Sequence, residues 1–197
     1  MNRGVCEIVD SNQTHRKTCH RLNIPYQAHE LTFSCFHNQP FLSSKRTCDW
    51  LVESINATRQ KLEFSLWGNV IMPDHVHLLI YPRRQGYSIS EILKRIKTPV
   101  AMRSIGYLKK NNPAGLARLA TGQGYRAFRF WQKGGGYDRN IKEIDTLLES
   151  IHYIHNNPVR KGLAENPEQW YYSSALEWQE PGKGPLRIDR SDWPVFV

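Results

Sequence analysis

Residues 70–80 read VIMPDHVHLLI, and this stretch decides the fold because two apolar runs flank a turn signal. Pro73 followed by Asp74 is typical of a tight turn. The apolar runs on either side predict strands at 62–71 and 76–80. Strands joined by so short a connection pair with each other in an antiparallel hairpin, which gives the sheet its starting point.

Outside the hairpin, apolar periodicity and capping residues predict one more strand and one helix before it, and a helix, a strand and a helix after it. This order is typical of an α+β fold, a ferredoxin-like sandwich with helices packed on an antiparallel sheet. The predicted elements are a strand at 29–35, a helix from the cap Ser44 to about residue 59, a basic helix from Ser88 or Ser90, a strand at 125–132, and a helix that begins at the cap Asn140, has Glu143 as capping-box partner and ends before Pro158.

Composition indicates a folded protein with three parts. Of the 197 residues, 40% are hydrophobic and 11% aromatic, which excludes collagen-like and disordered chains. Because the sequence has neither a membrane-spanning apolar run nor a signal peptide, we expect a soluble, cytoplasmic protein with no membrane partner. The predicted parts are an N-terminal arm at 1–28, one domain at 29–162, and a Trp- and Pro-rich tail at 163–197 that packs on that domain.

Positive charge is concentrated in one segment. The 27 Lys and Arg exceed the 18 Asp and Glu, giving a formal charge of +9, and residues 94–133 contain ten basic residues and no acidic one. Such a segment favours a polyanionic partner, and its interleaved aromatic residues suit unpaired bases. The predicted DNA-binding residues are Lys94, Arg95, Lys97, Arg103, Arg126, Arg129 and Lys133, together with Arg160 and Lys161 farther along the chain.

Two histidines stand two residues apart on the second hairpin strand. The period of two places His75 and His77 on one face of the sheet, so that two imidazoles lie side by side. Such a pair can supply two nitrogen ligands to a divalent cation and leave other coordination positions open. The alternative is a pair of hydrogen-bonded histidines on a half-exposed strand.

A tyrosine stands near the end of the last predicted helix. The apolar stripe of that helix is formed by Ile144, Leu147, Leu148, Ile151, Ile154 and His155. Tyr153 falls nearly opposite this stripe, and Asn157, four residues later, shares its face. A phenol and a carboxamide oxygen can therefore reach one site together. The alternative is a surface tyrosine, with Asn157 closing the helix.

Together the two groups describe a reaction. A tyrosine can attack a phosphodiester and form a covalent phosphotyrosine if a metal draws charge from the phosphorus. The covalent bond conserves the energy for rejoining, so no nucleotide cofactor is needed. The sequence contains no Gly-rich phosphate loop of the Walker type, which agrees with this scheme.

Two motifs carry a resemblance to a known family. Residues 70–79 resemble the His-hydrophobe-His motif of single-tyrosine HUH transposases, and residues 153–163, YIHNNPVRKGL, resemble the tyrosine motif of their REP-associated branch, the RAYTs. The resemblance implies that His75, His77 and Asn157 bind Mg²⁺ or Mn²⁺ and that Tyr153 is the nucleophile. It further implies cleavage of single-stranded DNA near palindromic hairpins, with a 5′-phosphotyrosine and a free 3′-hydroxyl.

Three alternatives stay open at this stage. The protein could be a domesticated hairpin-binding protein that no longer cuts. His152 and His155 could tune the nucleophile, add a ligand, or do neither. The chain could act as a monomer, or as a homodimer in which the tyrosine of one subunit serves the histidines of another.

Overall fold

The computed structural model describes residues 22–124, 127–191 and 193, which form a four-stranded sheet covered by helices on both faces. Most of the predicted arm, together with Tyr125 and Arg126, lies outside these residues. The strands and helices are β1 Ala28–Ser34, α1 Lys45–Leu62, β2 Phe64–Ile71, β3 His75–Pro82, α2 Ile89–Asn111, β4 Tyr137–Ile141, α3 Ile144–Arg160 and α4 Ala175–Gln179.

The sheet is antiparallel throughout and has the strand order β2-β3-β1-β4. β1 and β3 are therefore the central strands, and each inserts between two others. In the register, Thr32 of β1 lies opposite His77 on β3 and opposite Tyr137 on β4. The order and the β-α-β-β-α-β connections are those of a ferredoxin-like fold, so the predicted class is confirmed.

Alternate residues of each strand face different helices. One face of the sheet packs against α1 and α2, and Leu31, Val76 and Leu78 lie in this larger core. The opposite face packs against α3, with Leu79 of the sheet and Leu147 and Ile154 of the helix in a smaller core. His75 and His77 alternate with Val76 and Leu78, so they lie on the α3 side of the sheet.

Local sequence explains where the first two helices begin. The Ser44 side chain accepts a hydrogen bond from the Thr47 amide at the start of α1. The Ser88 side chain accepts one from the Glu91 amide at the start of α2. Serine satisfies an amide that has no partner within the helix, which is why these predicted starts agree with the structure.

The predicted strand at 125–132 is wrong, because the fourth strand is β4, Tyr137–Ile141. In the part of 125–132 that is described, Phe128 and Trp131 form only isolated bridges. Aromatic residues here pack into the core from a loop, and the chain then turns through Gly134-Gly135-Gly136. Gly136 has φ +72°, and a Cβ there would lie 1.9 Å from the carbonyl oxygen of Thr32. Only glycine fits this approach, which starts the pairing of β4 with β1.

The predicted limits of the last helix are also wrong. Asn140 belongs to β4, and α3 begins after Glu143, whose side chain makes no capping bond. The helix continues through Pro158 to Arg160, because a proline in the last turn removes only one helical hydrogen bond. Its end is set by Gly162 at φ +66°, where the amides of residues 162 and 163 bond to the carbonyls of residues 159 and 158.

The chain after α3 covers the outer edge of β2. The amide and carbonyl of Leu66 bond to Asp189, and the carbonyl of Asn69 accepts from the Ser174 amide. The Trp178 indole donates to the carbonyl of Trp67. These bonds satisfy an edge that would otherwise be open to pairing with another chain. No helix in the described part of the chain is long and apolar enough to span a membrane.

Candidate active site

A cavity of about 400 Å³ lies between β3, β1 and the C-terminal half of α3. The sheet contributes Thr32, His75 and His77, whose side chains share one face. The expectation that the two histidines and the tyrosine converge is therefore confirmed, and it is met within a single chain. The helix lines the cavity with Tyr153, Asn157, Arg160 and Lys161.

His77 is the buried member of the histidine pair and is only 5% exposed. Its Nδ1 atom lies 2.8 Å from the hydroxyl of Thr32, whereas its Nε2 atom is buried without a hydrogen-bond partner. The pKa of this imidazole is lowered to about 4, mainly by burial and to a smaller extent by nearby His75, while Asp74 opposes the change. His77 is therefore neutral near pH 7, which is the form that binds metals.

His75 lies beside His77, with 4.9 Å between the ring centroids. Its Nδ1 atom bonds to the Asp74 carboxylate at 2.7 Å. A carboxylate on Nδ1 fixes the ring and directs Nε2 outward, an arrangement common among metal-binding histidines. Each imidazole thus has Nδ1 engaged, and Nε2 is the nitrogen that remains for a ligand.

Tyr153 faces this pair from α3. Its ring centroid is 5.6 Å from that of His77, and the residue is 42% exposed. The guanidinium of Arg160 lies 4.9 Å above the tyrosine ring. The position of Tyr153 on α3 explains this arrangement. The next residue, Ile154, is buried in the core, so the side chain of Tyr153 leaves the helix in a different direction, toward the cavity. Leu148, assigned to the apolar stripe from the sequence, is 52% exposed, so the stripe is narrower than predicted.

Asn157 stands one turn after Tyr153 and is 5% exposed. Its Nδ2 atom donates to the carbonyl of Tyr153 at 3.1 Å, which orients the carboxamide. The oxygen of that carboxamide remains for another partner. The predicted pairing of a phenol and an amide oxygen on one face of α3 agrees with this geometry.

The donor set fits a divalent cation. Within the described ranges, no three His, Cys, Asp or Glu side chains cluster as a metal site. A cation in the cavity would therefore rely on the Nε2 atoms of His75 and His77 and on an oxygen such as that of Asn157. The buried Nε2 of His77 without a partner supports this fit, since a buried polar atom is costly unless something binds it.

The histidines beside the tyrosine have different environments. His155 is turned toward the tail, where its Nε2 atom lies 2.8 Å from the hydroxyl of Ser174. Burial, reinforced by His152, lowers the pKa of His155 to about 4. His152 itself is exposed. Neither residue lines the cavity that contains Tyr153. Through its hydrogen bond to Ser174, His155 connects α3 to the tail.

The predicted basic residues of the segment 94–133 line two grooves, and Lys94 lines both of them. A groove of about 530 Å³ between α2 and residues 128–135 is lined by Lys94, Lys97, Arg129 and Lys133, and its described lining contains no carboxylate. Arg95 and Arg103 line a second groove, between α1 and α2, and form ion pairs with Glu91 and Glu53. Arg126 lies outside the described residues.

Sequence reasoning missed the residues that hold the histidines. Asp74 precedes His75 directly, but the sequence Pro73-Asp74 predicts only a turn. Thr32 is 45 residues from His77, and no local pattern connects them. Only the pairing of β1 with β3 in register places that hydroxyl beside the imidazole.

Comparisons with known proteins give a consistent result. No protein-family model matches the chain. A protein of Haemophilus influenzae named "Putative REP-associated tyrosine transposase" is 30% identical over 139 residues, which are 66% of this chain and 73% of that protein. A solved structure of a REP-associated tyrosine transposase bound to a REP hairpin has a TM-score of 0.64 and 17% identity, and the match covers 88% of this chain and 92% of that one. The likeness to the solved structure shows the fold. The match to the Haemophilus influenzae protein covers nearly three quarters of that relative, and it shows that this chain belongs to the family of REP-associated tyrosine transposases.

Proposed function

We propose that this protein is a metal-dependent endonuclease and strand transferase for single-stranded DNA, which cuts near hairpin-forming palindromic repeats. One observation carries the proposal: His75, His77, Asn157 and Tyr153 line a single cavity in one chain. Because these four residues line one cavity within a single chain, we propose that a monomer can cut. As a chromosomal nickase and ligase, the protein would be cytoplasmic and associated with the nucleoid.

Tyr153 is the proposed nucleophile. Its hydroxyl attacks the phosphorus, the bond from phosphorus to the 3′-oxygen breaks, and that oxygen takes up a proton and leaves as a 3′-hydroxyl. The phenolic proton passes to solvent, to which Tyr153 is partly exposed. The product is a 5′-phosphotyrosine, whose later attack by a 3′-hydroxyl rejoins the strand without a nucleotide cofactor.

His75, His77 and Asn157 are the proposed ligands of Mg²⁺ or Mn²⁺. When bound, the cation would draw charge from the phosphate and orient it for in-line displacement. Thr32 and Asp74 keep the two imidazoles in the orientation that presents Nε2. The cavity wall also holds Arg160 and Lys161, whose positive charges would neutralise phosphates beside the cut.

The proposed DNA partner is a hairpin with an adjoining single strand. The structurally similar transposase is bound to a REP hairpin, which supports this class of partner for the present chain. The groove lined by Lys94, Lys97, Arg129 and Lys133 offers cationic and aromatic surface, with no carboxylate in the part of its wall that is described. The ion-paired Arg95 and Arg103 are expected to contribute less, since their charge is already compensated.

A suicide-substrate assay tests the proposal. The protein is incubated with end-labelled oligonucleotides that carry a palindromic hairpin and single-stranded flanks, in Mg²⁺ or Mn²⁺, and covalent adducts are resolved on denaturing gels. We expect an adduct with the wild-type protein, none with Tyr153→Phe, and loss of metal-dependent cleavage with His77→Ala. An adduct that persists in Tyr153→Phe would remove Tyr153 from its role.

The same assay separates cleavage from binding alone. Hairpin binding is measured in parallel by fluorescence anisotropy in EDTA, where the catalytic variants should bind as well as the wild type. Hairpin binding by the wild-type protein without cleavage in either metal would instead indicate the non-cleaving, domesticated protein. Equal mixtures of Tyr153→Phe and His77→Ala should stay inactive, because the site is built within one chain.

A further inference from the structure

A second cavity, of about 540 Å³, adjoins the catalytic one. The two cavities share Thr32, His77 and Tyr153 as a common wall. The second cavity is bounded by Ser150, one turn before the tyrosine, whereas the first is bounded by Asn157, one turn after it. The cavities therefore lie on opposite sides of Tyr153 along α3. A DNA strand cut at Tyr153 must extend to both sides of it.

The two cavities differ in charge. Among the described residues, the wall of the catalytic cavity has Arg160 and Lys161 and no carboxylate. The described lining of the second cavity has two carboxylates, Glu30 and Glu149, and one guanidinium, Arg139, which is already paired with Glu30 at 2.7 Å. A phosphate is favoured in the first cavity and repelled from the second. The second cavity therefore suits an uncharged part of the strand, which is a nucleobase.

Glu30 is held in position by its neighbours. Its side chain is 8% exposed, and Oε2 lies 2.7 Å from Arg139 Nη2 and 3.2 Å from the Ser150 hydroxyl. Neither contact uses Oε1. A carboxylate oxygen can accept a hydrogen bond from the exocyclic amino group of a base, and carboxylates read cytosine in this way. Thymine carries no amino group, and its one donor on the Watson–Crick edge, N3–H, lies between two carbonyl oxygens that a carboxylate repels.

Tyr137 supplies a stacking surface at the rim. It is 50% exposed and lies on the edge strand β4, opposite Thr32 in the register. An aromatic side chain at the mouth of a cavity can stack on any base that enters, and such stacking tolerates all sequences. Tyr137 would thus hold the base, while Glu30 would read it.

We propose that this second cavity binds one unpaired base next to the cleaved phosphate, selects a base with an exocyclic amino group, and discriminates against thymine. The inference rests on the proposed cleavage function. It assigns Glu30 as a specificity-determining residue and Tyr137 as a stacking residue. The proposed hairpin site is the basic groove beside α2, so hairpin affinity should not depend on either side chain.

The test uses hairpin oligonucleotides in which the bases on both sides of the cut are randomised. Covalent adducts and released 3′-ends are sequenced, and relative kcat/KM is obtained for each base. For the wild type we expect thymine to react at least about fivefold more slowly than an amino-bearing base at one flanking position, as one good base contact predicts. Glu30→Gln should weaken or reverse this preference, because its amide can donate to thymine.

Two further variants control for structural effects. Glu149→Gln removes the same charge from an exposed position on the same cavity and should leave the preference unchanged. Tyr137→Ala should lower kcat/KM for all bases while leaving hairpin affinity in EDTA unchanged, and it keeps the test possible if Glu30→Gln fails to fold. Wild-type cleavage with no base preference at either flank would overturn this inference and leave the proposed function standing. Failure of the wild type to form any adduct would overturn both.

Discussion

The hydroxyl of Thr32 offers the sharpest test of how the site is built. In the proposed site a metal would take the lone pair of Nε2, so the proton of the neutral His77 imidazole would be on Nδ1, where it needs an acceptor. Thr32, whose hydroxyl lies 2.8 Å from Nδ1, would be that acceptor. Thr32→Val keeps the branched shape of the side chain, which suits a central strand, and removes only the hydroxyl.

The expected loss follows from burial. With His77 buried, an Nδ1–H without a partner costs about 1–3 kcal/mol, and the ring is no longer held in the metal-binding tautomer. Losing such a supporting hydrogen bond weakens metal affinity by about 10- to 100-fold. We therefore expect Thr32→Val to bind Mn²⁺ at least about tenfold more weakly than the wild type.

The assay is isothermal titration of Mn²⁺ into protein that carries a bound hairpin, with hairpin affinity in EDTA measured separately. Thr32→Ser is the matched control, because it retains the hydroxyl and should stay close to the wild type. Thr32→Val with wild-type Mn²⁺ affinity and unchanged cleavage would refute the idea that this bond prepares His77 for a metal.

Three other predictions concern stability. Gly136→Ala should lower the free energy of unfolding by at least about 2 kcal/mol, because its Cβ would collide with a β1 carbonyl and the residue has a positive φ. Gly86→Ala is the control in the same thermal unfolding series, and it should have little effect because the space around Gly86 is open. Asp189→Ala should lower the free energy of unfolding by about 1–3 kcal/mol and promote association through the uncovered β2 edge, which light scattering would detect. His77 and His155 have pKa values of about 4 in the folded protein, below the ordinary imidazole pKa of 6.5 expected in the unfolded chain. Because the unfolded chain therefore binds protons first as the pH falls, the free energy of unfolding should decrease between pH 6.5 and about pH 4. A stability curve that stays flat over this interval in urea titrations, or one that His155→Gln leaves unchanged, would contradict that last expectation.

The candidate site was predictable from the sequence where its parts lie on regular elements. His75 and His77 alternate on a strand with an apolar opposite face, and Tyr153 and Asn157 are one helical turn apart, so periodicity placed each pair on one face. Which side chains hold these residues was not predictable. Thr32 and Glu30 reach the site only through the pairing of β1 with β3 and β4, and such long-range register is not encoded in any local pattern.

The errors in the predicted fold have a related cause. The aromatic residues at 128–131 are typical of a strand, yet Phe130 and Trp131 are buried, and Phe128 half-buried, as part of a loop. β4 is a polar edge strand with little apolar alternation. Its position depends on the close approach of Gly136 to β1, which is a contact between distant parts of the chain. A sequence pattern indicates which residues are buried, but it does not indicate which part of the backbone they contact.

The amino-acid sequence by itself determined the hairpin, the starts of the first two helices, the face of each histidine and of the tyrosine, and the concentration of positive charge. These features depend on the backbone periods of strands and helices and on capping bonds between neighbouring residues. Only the tertiary structure decided that His77 meets Tyr153 within one chain, that Thr32 and Asp74 hold the imidazoles, and that the basic segment divides between two grooves. Apart from the bond between the neighbours Asp74 and His75, those contacts join residues far apart along the chain, and they exist only once strand register and helix packing are fixed together.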